Sequence, residues 1–152
     1  MITSSVDRVP KHTAEHVNVK IRRESEARVA QCAARGNEAI NQRLAELDRE
    51  WDIERTLEAN AATASLVGLT LGATVSKKWF ILPGVVAGFL LQHAVQGWCP
   101  PMPVLRRLGF RTVSEIDYER YALKALRGDF KNISTDQTDA VNAGHLVEIM
   151  RR

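Results

Sequence analysis

The sequence predicts an all-α protein: a two-helix transmembrane hairpin, preceded by a long N-terminal amphipathic helical arm and followed by short C-terminal helices. Three observations carry this. Between Ala59 and Leu105 only Lys77 and Lys78 are charged. That greasy centre reads as two runs, AATASLVGLTLGATV and WFILPGVVAGFLLQHAVQGW, split by Ser76-Lys77-Lys78. Neither run shows the polar face that a helix in a small soluble bundle needs. The mean hydropathy of -0.21 averages polar flanks with this centre and does not describe either.

Elsewhere composition mostly excludes. A net charge of +3 suits contact with an anionic membrane surface and is too small to suggest a nucleic-acid partner. Cys32 and Cys99 have no metal-ligand spacing and are expected as reduced thiols. No pattern nominates a cofactor. Residues 1–20 hold Asp7, Arg8, Lys11, His12 and Glu15 without an apolar core, so insertion is expected to use the hairpin itself.

In chain order, residues 1–13 read as disordered. Residues 14–57 form the arm, with apolar or small residues at Val29, Ala33, Gly36, Ile40, Leu44, Leu47 and Trp51. Those spacings of three and four make one narrow sticky face opposite Arg43, Glu46, Asp48, Arg49, Glu50 and Glu54. Such a face serves self-association, a partner helix or the membrane surface. Gly36-Asn37 is the weak point where the arm can break.

Residues 58–111 are the hairpin. Its first helix, Glu58 to Val75, spans about 27 Å at 1.5 Å per residue, a little under a hydrocarbon layer of about 30 Å. The second, Trp79 to Trp98, is long enough, with Pro83 expected to kink its outer end. Lys77 and Lys78 cap the turn with Trp79 beside them, and Trp98 anchors the other interface. Arg43, Arg49, Arg55, Arg106, Arg107 and Arg111 flank the terminal side, against two lysines at the turn, which places both termini in the cytoplasm. Pro100-Pro101-Met102-Pro103 is expected as an extended turn, followed by an interfacial segment to Phe110. In residues 112–152, Thr112-Val113-Ser114-Glu115 is a capping box opening a helix that Gly128 stops. Ser134 starts a second helix with Val141, Leu146, Ile149 and Met150 on one face.

Inside the membrane, Gly68 with Gly72 and Gly84 with Gly88 are G-x-x-x-G pairs, which let backbones approach where lipid supplies no hydrophobic drive. Folding about Lys77-Lys78 sets Gly72 opposite Gly84 and Gly68 opposite Gly88, within one hairpin or between protomers. Asn60, Thr63, Gln92, His93 and Gln96 collect at one depth and are expected to pair with each other or with a neighbour. His93, the one titratable group there, is either an interhelical hydrogen-bonder or a ligand or proton relay. Cys99, at the interface near Arg106 and Arg107, is either a small interfacial residue or a reactive thiol.

The run Gly88 to Arg111, with Leu91-Gln92-His93, Gly97-Trp98-Cys99-Pro100 and Leu105-Arg106-Arg107-Leu108-Gly109, resembles the YgaP-like bacterial inner-membrane hairpin domain. The similarity covers about Arg55 to Thr112, and its most specific part is the Gly-Trp-Cys-Pro turn. It implies a two-helix membrane domain, homodimerisation, and sulfur or thiocyanate handling, often beside a rhodanese sulfurtransferase. This chain carries no rhodanese pattern, so only the hairpin and the Cys99 position carry over.

No nucleophile with a base, apolar carboxylate pair or phosphate loop appears, and the chain is expected not to be an enzyme. The expectation is a small integral protein of the bacterial inner membrane, a homo-oligomeric anchor, scaffold or accessory subunit. Its partners would be membrane lipid and a protein engaged through residues 14–57 and 112–152. The alternative is a sulfur-relay or thiocyanate-like small-anion transport component using Cys99 or the His93 layer.

Overall fold

The computed structural model describes residues 8–131, all helix and turn with no strand among them. In order the helices are α1 (Arg8–Lys11), α2 (Glu15–Arg35), α3 (Asn37–Leu47), α4 (Ile53–Thr74), α5 (Ile81–Gln96), α6 (Met102–Arg107) and α7 (Val113–Arg127), with a 3-10 turn at Lys77–Phe80. The sequence's second C-terminal helix lies outside the described residues, as do residues 1–7 of the segment read as disordered. The rest of that segment is a correction: Arg8–Lys11 is helical and Val9 is 2% exposed. An apolar side chain packed into a core fixes the short turn that composition alone left unstructured.

Two compact units form, each from separated stretches of chain. One joins the N-terminal segment through Glu24 to Glu50–Ile116; the other joins Ser25–Arg49 to the chain from Asp117.

In the first unit, α4 and α5 fold back on each other across the 3-10 turn. Asp52 is the N-cap of α4 and accepts from the Arg55 backbone N–H at 2.9 Å, satisfying one orphan donor of the first turn. The helix therefore begins at Ile53, five residues earlier than the apolar pattern placed it, and Ile53 and Leu57 point into a core with Val9, Cys99 and Met102. Pro83 falls in the first turn of α5, where its missing N–H is an orphan anyway, and so opens the helix at the point where 3-10 gives way to α. Gly97, at φ 75, ends α5 by returning its N–H to the His93 carbonyl at 2.7 Å. The prolines expected to hold an extended turn instead start α6: Pro101 is its N-cap and Pro103 lies in its first turn. Proline's fixed φ suits a helix start as well as it forbids a helix interior.

In the second unit the break at Gly36 is present, at φ 86, between α2 and α3. The α3 part of the sticky face is buried at Ile40, Leu44 and Leu47, whereas Ala33 and Gly36 are exposed. Glu119, with no exposure, accepts from Arg43 Nε at 2.7 Å and Arg28 Nε at 3.3 Å. Arg43, read from sequence as lying opposite the sticky face, is thus half-buried on a carboxylate.

Candidate functional site

The helical stretch Lys77–Gln96 is 20 residues long and apolar enough to cross a membrane, and His93 is its one buried residue. It is the one such stretch among the described residues. The first run falls short because α4 carries Glu58 and Asn60, and also Thr63, Ser65, Thr70 and Thr74, among its apolar residues. All three of those threonines turn back on their own helix: Thr63, Thr70 and Thr74 each donate to the carbonyl four residues earlier, at 2.7–2.8 Å. A hydroxyl satisfied this way presents mainly its methyl to the surroundings.

At the turn, the hairpin closes tightly. A Cβ added to Gly72 would stand 2.8 Å from the Phe80 ring, and one added to Gly68 would stand 2.7 Å from Pro83 Cδ. These glycines are therefore consumed within the hairpin. Gly84 and Gly88 are not opposite them, for a Cβ on either meets nothing within 4 Å. The expected matching of the two G-x-x-x-G pairs is corrected: the 3-10 turn uses residues 77–80 to reverse the chain, which brings Phe80 and Pro83, not Gly84 and Gly88, onto the α4 glycines. Lys77 and Lys78 are exposed beside Trp79, which is 44% exposed.

Away from the turn, the expected polar layer does not assemble. Asn60 is exposed and donates to the Thr56 carbonyl at 2.9 Å, and Gln96 is exposed while Gln92 is half-buried. His93 alone of the set is buried, and neither ring nitrogen has a hydrogen-bond partner. What surrounds this end of α5 is α1, which sequence reading missed. Arg8 donates to the Ala94 carbonyl at 3.1 Å and pairs with Glu54 at 2.6 Å, while its side chain lies against Gly97. Gly97 must be small for that reason: a Cβ there would stand 2.6 Å from Arg8 Cβ.

Cys99 is 4% exposed within the core cluster, not an accessible interfacial thiol. Burial pushes its pKa up, against a smaller opposing effect of the Met102 backbone N–H. The arginines expected to favour a thiolate are elsewhere: Arg107 is exposed and Arg106 is 1% exposed and fully committed. Arg106 grips both oxygens of Glu115 at 2.6 and 2.7 Å, and donates to the Phe110 carbonyl, Asn18 and Thr13. It is a structural clamp and not a headgroup anchor. Trp98 is likewise packed partly onto the core cluster. Arg111, 3% exposed, is held in a fork by Glu50 at 2.6 and 2.7 Å.

Beside Cys99 the two long helices part. A cleft of about 260 Å³ opens between them, with Leu57, Ala61 and Ala64 of α4 on one side, Phe89 and Leu90 of α5 on the other, and Leu105 of α6 as its floor. No group of three or more metal-ligating side chains occurs among the described residues.

No protein-family model, curated protein or solved structure matches this chain. The site therefore stands on its own geometry.

Proposed function

We propose that the chain is a membrane-anchored scaffold or accessory subunit, inserted through the α4–α5 hairpin with both termini in the cytoplasm. One observation carries the reading: in the largely apolar stretch from Lys77 to Gln96, long enough to cross a membrane, His93 is the one buried residue. Exposed side chains on the hairpin include Leu66 at 65%, Ile81 at 69%, Leu91 at 67% and Val95 at 69%. An exposed apolar surface of this kind suits a hydrocarbon solvent. Lys77 and Lys78 beside Trp79 at one end, and the arginine-rich segments at the other, support a positive-inside placement. The bacterial inner membrane and the similarity to YgaP-like hairpins belong to this reading, as does self-association.

The test is extraction of membranes with alkaline carbonate. The anchor reading expects the chain in the pellet and its release only by detergent; recovery in the carbonate supernatant sinks it. The sulfur-relay reading is less supported, because a carrier thiol must be reached by its donor and Cys99 is buried with a raised pKa.

A further inference from the structure

We propose that the cleft beside Cys99 holds one acyl chain of a bilayer phospholipid, an inference that rests on the membrane reading above. Its walls are almost wholly apolar, Asn60 being the one polar side chain besides the Cys99 thiol. The Asn60 amide is already directed at the Thr56 carbonyl. An ordered water needs two to four polar partners, and these walls do not supply them. Dry apolar cavities of roughly 150 Å³ take up a single aromatic ring; this cleft, at about 260 Å³, has room for a run of methylene groups.

The helices are built to part here. Near the turn, Gly68 and Gly72 bring α4 onto Phe80 and Pro83 so closely that a methyl group would collide. Toward the other end α4 presents Ala61 and Ala64, one turn apart, to Phe89 and Leu90, and the short side chains leave the gap unfilled. The cleft is open at its apolar lining. Its own lining residues Phe89 and Leu90 are 41% and 37% exposed, and near Leu105 in the chain Val104 and Leu108 are 58% and 71% exposed. A helix from a second copy does not fit, since a helix with side chains is about 10–12 Å across.

The test reconstitutes the full chain into vesicles of phosphatidylethanolamine and phosphatidylglycerol, a fraction of which carry a diazirine within one acyl chain. Adducts after illumination are mapped by mass spectrometry. Labelling concentrated on Ala61, Ala64, Phe89, Leu90 and Leu105, above that on the outward residues Leu91 and Val95, is expected. In Ala61→Phe/Ala64→Phe the cleft labelling drops by about tenfold, a change of about 1.4 kcal/mol, while Leu91 and Val95 stay labelled. If that variant does not insert, the single Ala64→Leu replaces it, with the same drop expected in smaller measure. Cleft labelling no higher than on Leu91 and Val95, or unchanged on filling, overturns the proposal, as does occupation by a partner's side chain that leaves the cleft unlabelled. Failure of the membrane reading looks different, because then no residue is labelled and the chain does not float with the vesicles.

Discussion

Arg106 illustrates what a buried charge requires in this protein. Its guanidinium has five donors, and Glu115, Phe110, Asn18 and Thr13 accept from them. Arg106→Leu leaves Glu115 without its cation, and the expected loss is about 3–5 kcal/mol, read from thermal melts of detergent-solubilised protein by circular dichroism. Burial raises the Glu115 pKa, but the Arg106 hydrogen bond and the Thr112 backbone N–H lower it more, and the net direction is down. A carboxyl whose folded pKa lies below its unfolded value contributes stability above the unfolded pKa and loses it as pH falls through the folded one. Melting temperature is therefore expected to drop below the ordinary glutamate range, near pH 4, and Glu115→Gln should flatten that acid limb; an identical limb in the variant rules out this carboxylate. His93 is the opposite case, a buried ring with no partner. His93→Leu removes an unsatisfied polar group, worth about 1–3 kcal/mol, so the variant should melt higher, and a lower melting point would mean that His93 has a partner in solution. Of these residues the sequence singled out His93, but as a paired side chain, and it misread Arg106. The partners of Arg106 at Thr13 and Asn18 are 93 and 88 residues away along the chain, and no local pattern encodes such pairs.

At the scale of elements, the capping box at α7 was legible because both its halves are local. The Thr112 N–H donates to Glu115 and the Glu115 N–H returns to Thr112 Oγ1 at 3.3 Å. The Gly36 break was legible for the same reason, glycine being the residue that adopts positive φ without strain; Gly36→Ala should cost about 1 kcal/mol in the same melts. The hairpin register was not legible. G-x-x-x-G spacing states that a helix face is small, not which residues approach it, and the 3-10 turn shifted the pairing. The two pairs consequently separate in their expected behaviour. Gly72→Val drives a side chain into Phe80 and should destabilise the hairpin by about 1–3 kcal/mol. A Cβ at Gly84 meets nothing within 4 Å, so Gly84→Leu should not lower the melting point. Should Gly84→Leu shift the species on size-exclusion chromatography in detergent without altering the melt, the open pair is the contact between copies; should Gly72→Val melt like the parent, the tight packing against Phe80 is wrong.

For the molecule as a whole, the anchor reading fixes a sidedness that can be measured. Cysteines introduced at Lys77 and Arg107, in a chain whose native cysteines are replaced by serine, should be labelled from opposite faces of sealed inverted vesicles by a membrane-impermeant maleimide. Labelling of both from one face overturns the hairpin topology. The sequence by itself determined the helical class, the uncharged centre between two charged flanks, the Gly36 break and the capping box at Thr112, because helix propensity, hydropathy and end signals act over a few residues. Tertiary structure alone decided that Arg8 and Val9 close the end of α5, that Cys99 is core, that Arg106 is a clamp, and that α4 and α5 meet at Gly68 and Gly72 and part at Ala61 and Ala64. Those outcomes depend on which distant side chains reach the same small volume, and burial, pairing and close approach are properties of that volume, not of any stretch of chain.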